Sequence, residues 1–326
     1  MPSLSELDWS DDVAQAAWIA KRLSGRGEQV ATVFVPSGFE AYARILHPAE
    51  EPNRGDGRLV RWREVAAWSG LVLDPYAEFA SIALPPVPVN APPPWSGQGP
   101  RHGSLYPPDA AVVIDHLRRA TTKPERCWFC LWDGYGWSSD AIPESVENGP
   151  RVRLPDRSYF LYRGAVDAAL LGYPGEPMDH TANLWWPDDR AWCVASEIDL
   201  SSTYVAGSAA LVSALVSEPA VEALEVSAGP RLFRSEPWID SWVRDALDAL
   251  LTEGHALVST PLGALEAWFD RSVPGGSGSL RTRSRSTLGH GSGGTHYVDL
   301  SSRDDATIRR NLAFYLRWDI IALVGN

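Results

Sequence analysis

Three stretches of the chain carry apolar and aromatic residues in nearly unbroken runs. Arg126 to Gly136 reads RCWFCLWDGYG, and two later segments share its character, Tyr159 to Arg163 (YFLYR) and Leu184 to Val194 (LWWPDDRAWCV). Each is bounded by Pro, Gly or Asp and is made of residues that suit a pleated, half-buried surface, so each is expected to be a core strand of one sheet. Over 182–200 the run breaks at Pro187-Asp-Asp-Arg190, which predicts a hairpin turning there. On its return strand Trp192, Val194 and Ser196 are expected on one face, and Cys193, Ala195, Glu197 and Asp199 on the other.

Helical spacing surrounds these runs. Val13, Trp18, Ile19 and Leu23 predict a helix over 11–24 with acids in its first turn. Val112, Val113 and Leu117 predict another over 108–119, and a short one is expected over 165–171. Helices are also expected over 208–216 and over 238–251, where Trp238, Trp242, Ala246 and Leu250 recur at four-residue steps and Ser235 suits an N-cap. Val30 to Val35 reads as a strand. Residues 39–46, FEAYARIL, fit either a helix or a strand, and 59–68 fits a strand or, from Trp62, a helix. Residues 84–108 are rich in Pro, which excludes regular helix and central strand and suits a loop or lid.

This grammar predicts an α+β fold. A single mixed α/β domain with a central, mostly antiparallel sheet flanked by helices is expected over 1–270. A Gly/Ser/Arg-rich, flexible C-terminal tail of uncertain structure is expected over 271–326: residues 274–294 lack a core pattern, while 297–300 and 312–324 fit small elements.

Composition narrows the classes. The 326 residues are 44% apolar and 21% charged, with 15 Trp and only three Cys. That is a globular composition and not a disulfide scaffold. No apolar run is long enough to span a membrane, and the acidic start MPSLSELDWSDD lacks the basic and apolar regions of a secretory leader, so a cytoplasmic protein is expected. Net charge is −12; residues 271–326 hold eight Arg and four Asp, so the first 270 carry −16. Such a body repels nucleic acid and anionic membrane at long range and favours a basic protein partner; a small-molecule ligand is the other partner class.

Candidate chemistry is sparse. Glu197 and Asp199, at i and i+2 on an expected strand, lie about 7 Å apart on one face. Enclosed together, such acids exchange protons or hold a hard cation. Flanked by Trp185, Trp186 and Trp192 as aromatic platforms, they suit glycoside hydrolysis. Against this stands an exposed sheet end with its acids in water and its Trp residues in the core. Asp133 and Tyr135, in the Asp133-Gly-Tyr-Gly136 turn, occupy a strand end where ligand contacts gather. Arg163 is placed to pair with an acid of a neighbouring strand. Cys127 and Cys130 form a CxxC, but three residues apart on a strand they face opposite ways, which suits buried apolar cysteines better than a redox or metal pair. His180 precedes the Trp-rich hairpin and is placed to line a cleft. No nucleotide-binding fingerprint or nucleophile elbow opens a helix, and no cofactor is expected. The run Arg281-Thr-Arg-Ser-Arg-Ser286 is suited to RNA contact or phosphate acceptance.

The strings RCWFCLWDGYG, YFLYRG, NLWWPDDRAWCVASEIDL and Gly229-Pro-Arg-Leu-Phe233 resemble a group of uncharacterised proteins from high-GC actinobacteria over roughly residues 10–255. The resemblance implies no activity and no residue roles. Two function classes follow from the residues. One is a non-enzymatic protein-interaction or binding module; the other is a hydrolase or other small-molecule enzyme built on Glu197, Asp199 and Asp133. A third, an Arg-tail nucleic-acid binder, rests on 281–286 alone.

Overall fold

The computed structural model describes residues 7–23, 31–50, 58–95, 99–137, 142–155, 157–170, 181–228, 237–270, 277–286, 293–299, 305–321 and 323. The fold is mixed α/β, with a central antiparallel sheet flanked by helices. Contacts divide the chain into two compact units: Met1–His47 with Arg101–Leu232, and Pro48–Pro100 with Phe233–Asn326.

The first unit is built on a nine-stranded sheet. Its strands run in the order Asp8–Trp9, Ser158–Gly164, Cys127–Trp132, Leu184–Pro187, Cys193–Ser196, Ser202–Gly207, Ala41–Leu46 and Ala223–Val226, with Val152–Arg153 added beside Ser158–Gly164. Every pairing is antiparallel. The three aromatic runs are therefore strands, as expected, and they lie side by side at the centre. FEAYARIL resolves as a strand, Ala41–Leu46, inserted between Ser202–Gly207 and Ala223–Val226.

Both faces of this sheet are covered, which explains why its strands read as continuous apolar runs rather than as an alternation. One face packs Cys127, Phe129, Leu131, Phe160, Trp185, Val194, Val205 and Ile45 against Ala110, Val113, Ile114 and Leu117 of helix Pro107–Arg119 and against Leu211, Val212 and Leu215 of helix Ala209–Val216. The first helix starts on two prolines with Asp109 in its first turn, where a missing N–H costs nothing and a negative charge is favoured. The second is capped by Ser208, whose side chain accepts from the Leu211 N–H at 3.2 Å.

The opposite face meets the N-terminal segment. Trp18 lies edge-on to Trp186 at 6.1 Å between ring centroids, and Phe34 stacks on Tyr204 at 5.4 Å. This covering role displaces the regular elements expected there. The helix predicted over 11–24 is a 3-10 turn, Val13–Ala16, followed by one helical turn, Ala17–Ala20. Of the predicted strand 30–35, Ala31–Val33 is a 3-10 turn and Val30 lies outside the described residues. The short helix expected over 165–171 is likewise a 3-10 turn, Val166–Leu170.

The second unit carries a four-stranded antiparallel meander, His255–Thr260, Gly263–Asp270, Ser277–Ser286 and Gly293–Asp299. Helices Pro237–Glu253 and Asp305–Ile321 contact it and each other. Ile239, Leu250, Leu312, Leu316 and Ile320 are buried with Ala256, Val258, Leu265, Ala267, Phe269 and Leu280. Ser235 lies outside the described residues, so its expected capping role does too. The earlier segment supplies helices Trp62–Ser69 and Phe79–Ala83. Trp62, Phe79 and Trp95 pack ring edge to ring face at 5.3 to 5.4 Å, and the Trp238 indole donates to the Leu84 carbonyl at 2.7 Å.

The boundary expected at 270 is corrected by this sheet. Gly263–Asp270 pairs residue by residue with Ser277–Ser286, from Gly263 opposite Ser286 to Asp270 opposite Ser279. Within 274–294, expected to be flexible, lies the strand Ser277–Ser286, and the small elements expected at 297–300 and 312–324 overlap the strand Gly293–Asp299 and the helix Asp305–Ile321. The core pattern was hidden because Leu280, Thr282 and Ser284 point inward while Arg281, Arg283 and Arg285 are exposed. Two of those three inward positions are small hydroxyl residues, which a hydrophobicity reading passes over.

Candidate functional site

Antiparallel register gathers polar residues at one end of the nine-stranded sheet. Trp132 stands opposite Tyr159, and Ser196 opposite Thr203. That brings the ends at 44–47, 132–135, 157–159, 181–183 and 196–203 together. The loop at 101–104 joins them: His47 bonds to the Arg101 carbonyl, and the Leu200 carbonyl accepts from the Gly103 N–H at 3.0 Å. Gly103 has φ +71, and a Cβ there would lie 2.9 Å from Ile198 Cα and 3.3 Å from the Tyr135 hydroxyl. Only glycine both adopts that backbone and fits the approach.

A buried relay runs through this end. His47 Nδ1 lies 2.7 Å from the Arg101 carbonyl, and Nε2 lies 2.8 Å from Thr203 Oγ1. A carbonyl only accepts, so the ring proton belongs on Nδ1 and the Thr203 hydroxyl donates to Nε2. Thr203 then accepts from Ser196, 2.6 Å away. Burial drives the His47 pKa down to about 4, against a smaller opposing effect of its bond to Arg101. The ring is therefore neutral at physiological pH. The order hydroxyl, imidazole, carbonyl is that of an activated nucleophile, but His47 and Thr203 are fully buried and present no face to a substrate.

Asn183 holds three strand ends. Its amide oxygen accepts from the Trp132 N–H at 2.8 Å, and its amide nitrogen donates to the Tyr135 hydroxyl at 2.8 Å and the Ser196 carbonyl at 3.3 Å. Burial pushes the Tyr135 phenol up to about 12, with the charge of Glu197 adding to it. Burial and then Glu197 also push the Tyr159 phenol up. His102 is pushed down by burial, with Asp199 opposing.

The paired carboxylates sit here, but not on a strand. Cys193–Ser196 ends before them, and Glu197 to Leu200 form the turn that follows, closed by the Leu200 N–H to the Glu197 carbonyl at 3.0 Å. The expected i, i+2 strand geometry is thus replaced by convergence on one cation. Arg157 donates to Glu197 Oε1 through Nε at 3.2 Å and Nη2 at 2.8 Å, and Nη2 also reaches Asp199 Oδ2 at 2.7 Å. The guanidinium lies 5.2 Å from the Trp132 ring centroid. Sequence reasoning missed Arg157, which lies 40 residues from Glu197, and it missed His47, Asn183 and Thr203.

The other expected site residues separate. Tyr135 joins the polar end. Asp133 follows the same strand but pairs with Arg151, at 3.5 Å. Arg163 lies at the opposite end of the sheet, in register with Trp128, 3.6 Å from Asp188 Oδ2 and 5.3 Å from the Trp128 ring centroid. Its acid comes from the end of Leu184–Pro187, two strands away in the sheet order. The three tryptophans are core. Trp185 stacks on Phe129 and meets the edge of Trp192, Trp192 is bonded to the Leu117 carbonyl, and Trp186 packs against Trp18. All three are at most 3% exposed, so none offers a platform to a sugar. His180 lies outside the described residues.

Cys127, Cys130 and Cys193 are all free and buried. Burial pushes the Cys127 thiol up to about 12, with Asp188 and Asp189 adding, and it raises Cys130 and Cys193 as well. The native protein should leave an aromatic disulfide reagent unreacted over minutes at pH 8, and three thiols should titrate once it is unfolded. A fast thiol in the native state would contradict this burial. Among the described residues no group of three or more His, Cys, Asp or Glu is placed to hold a metal, and no helix is long and apolar enough to cross a membrane. No family model, no curated protein and no solved structure matches the chain.

Proposed function

We propose that the protein is a non-enzymatic binding module that acts in the cytoplasm and takes a protein partner with a basic surface. The observation that carries this reading is the fate of the candidate chemistry. Glu197 and Asp199 are both engaged by Arg157, and the tryptophans that would hold a substrate are buried. An acid pair that already shares a guanidinium is poorly suited to move protons. The −16 carried by residues 1–270 supports steering of a basic partner. Three unpaired cysteines support a reducing compartment.

The alternative is a hydrolase using Glu197 and Asp199. It draws support from two phenols, the buried Tyr159 and the half-buried Tyr135, that feel the charge of Glu197 and stay protonated as donors beside it.

Native mass spectrometry of the protein purified from its own host separates the two, run beside an assay on chromogenic glycosides and esters. The expected result is a stoichiometric basic protein that dissociates as salt is raised, with no turnover above buffer. Turnover that disappears in Glu197→Gln would establish the hydrolase instead.

A further inference from the structure

The run Arg281 to Ser286 is not a tail but the third strand of the second unit's sheet, and its register organises one face. Arg281 stands opposite Trp268 on one side and Thr295 on the other, and Trp268 stands opposite His255. In the next row Arg283 is opposite Glu266, which is opposite Leu257; in the third, Arg285 is opposite Ala264, which is opposite Ser259. Arg281, Arg283 and Arg285 are all exposed, while Leu280, Thr282 and Ser284 between them are buried. Alternation at period two thus places three guanidinium groups on one face, with stems about 7 Å apart.

Trp268 is 37% exposed on that face, with the His255 ring 5.4 Å away and tilted by 39°. A large aromatic ring left open in the middle of a sheet is unusual when nothing is to cover it. Trp268, Arg281, Thr282, Gly294 and Thr295 line a depression of about 560 Å³. Among the described residues none of the three arginines makes an ion pair, although Glu266 stands beside Arg283 in the register. The charges are therefore not spent on holding the sheet together.

We propose that this face binds single-stranded nucleic acid, with Trp268 as a stacking platform for a base and Arg281, Arg283 and Arg285 as contacts to successive phosphates. A sheet face that offers an open aromatic ring beside a line of cations matches what single strands require: a π-face on which a base can stack and positive charge along the backbone. A duplex hides its bases from Trp268, and an acidic peptide has phosphate-like charge but no ring of that size to stack. The excess of acid elsewhere in the chain opposes polyanions at long range, yet residues 271–326 carry a local excess of four positive charges. Binding is accordingly local and strongly dependent on salt. The proposal is independent of the protein-partner reading above.

Fluorescence anisotropy of the full chain with a labelled oligouridylate of about twelve nucleotides tests it. Saturable binding is expected at low salt, weakening as salt rises with a logarithmic slope of about −2, the value for three phosphates on a single strand. Replacing Arg281, Arg283 and Arg285 together by Gln should weaken binding at least tenfold and flatten the slope. Trp268→Ala should weaken it roughly 5- to 100-fold with the slope unchanged, and Trp268→Phe should restore most of the loss. These side chains point outward, and circular dichroism of each variant checks that it folds. Three outcomes overturn the proposal. They are no saturable binding of the wild-type chain, equal binding of the Gln variant, and competition by a matched duplex or by polyglutamate as effective as that by the unlabelled single strand. The competition needs no variant, so it decides even if one fails to fold.

Discussion

Trp192→Ala should lower stability by about 3–5 kcal/mol, the range for emptying a large aromatic site in a packed core. The residue is fully buried. Its ring meets the edge of Trp185 at 5.3 Å, and its indole donates to the Leu117 carbonyl at 2.9 Å, which ties the helix Pro107–Arg119 to the sheet. The change therefore removes packing on Trp185, opens a void under the helix and frees one strap between the layers. Trp192→Phe should cost much less, because the Leu117 carbonyl still accepts from the Ala120 N–H and most of the volume remains. Urea unfolding followed by tryptophan fluorescence and circular dichroism reads both. A loss below about 1 kcal/mol for the Ala variant would mean that the ring is not packed as described.

Acid should destabilise the fold through His47 before most carboxylates titrate. Its pKa is held down at about 4 in the fold, against about 6.5 in the unfolded chain. Between those values the unfolded state binds the proton and the folded state does not, so stability falls as pH drops from about 6.5 to about 4. The integrated loss is about 3 kcal/mol. Charging the ring would also put a proton on Nε2, where the Thr203 hydroxyl now donates, and so break the relay to Ser196. His47→Gln removes this titration. The stability gap between wild type and variant should therefore shrink by about that amount from pH 7 to pH 4. A gap that does not change with pH would show that His47 titrates as it does in water.

The sheet was legible in the sequence because its central strands are buried on both faces. Cys127–Trp132 and the stretch 159–162 keep their apolar character at every position, whichever face a residue takes. The same property made the tryptophans misleading: an apolar string shows that Trp185, Trp186 and Trp192 suit a strand, but not that each already has a neighbour. The polar end was largely illegible. His47 and Thr203 are 156 residues apart, and Arg157 and Asp199 are 42 apart; no local spacing links them. Glu197 and Asp199 were found as a pair because they are close in sequence. Their partner was not, since only strand register brings Arg157 to them. At Arg281 to Ser286 the period-two alternation was present all along, written as arginine against serine and threonine rather than polar against apolar.

The second unit is assembled from two segments separated by the whole of Arg101–Leu232. At about 5–20 residues per second, Pro100, the last residue of the earlier segment, is added roughly 7 to 27 s before Phe233, the first of the later one. Through that interval Trp62, Phe79, Ile82 and Trp95, all buried in the finished fold, lack the segment that completes their unit. The order of synthesis thus sets a waiting period in which this stretch carries apolar surface without the segment that completes its unit, and it ends only when the C-terminal segment arrives.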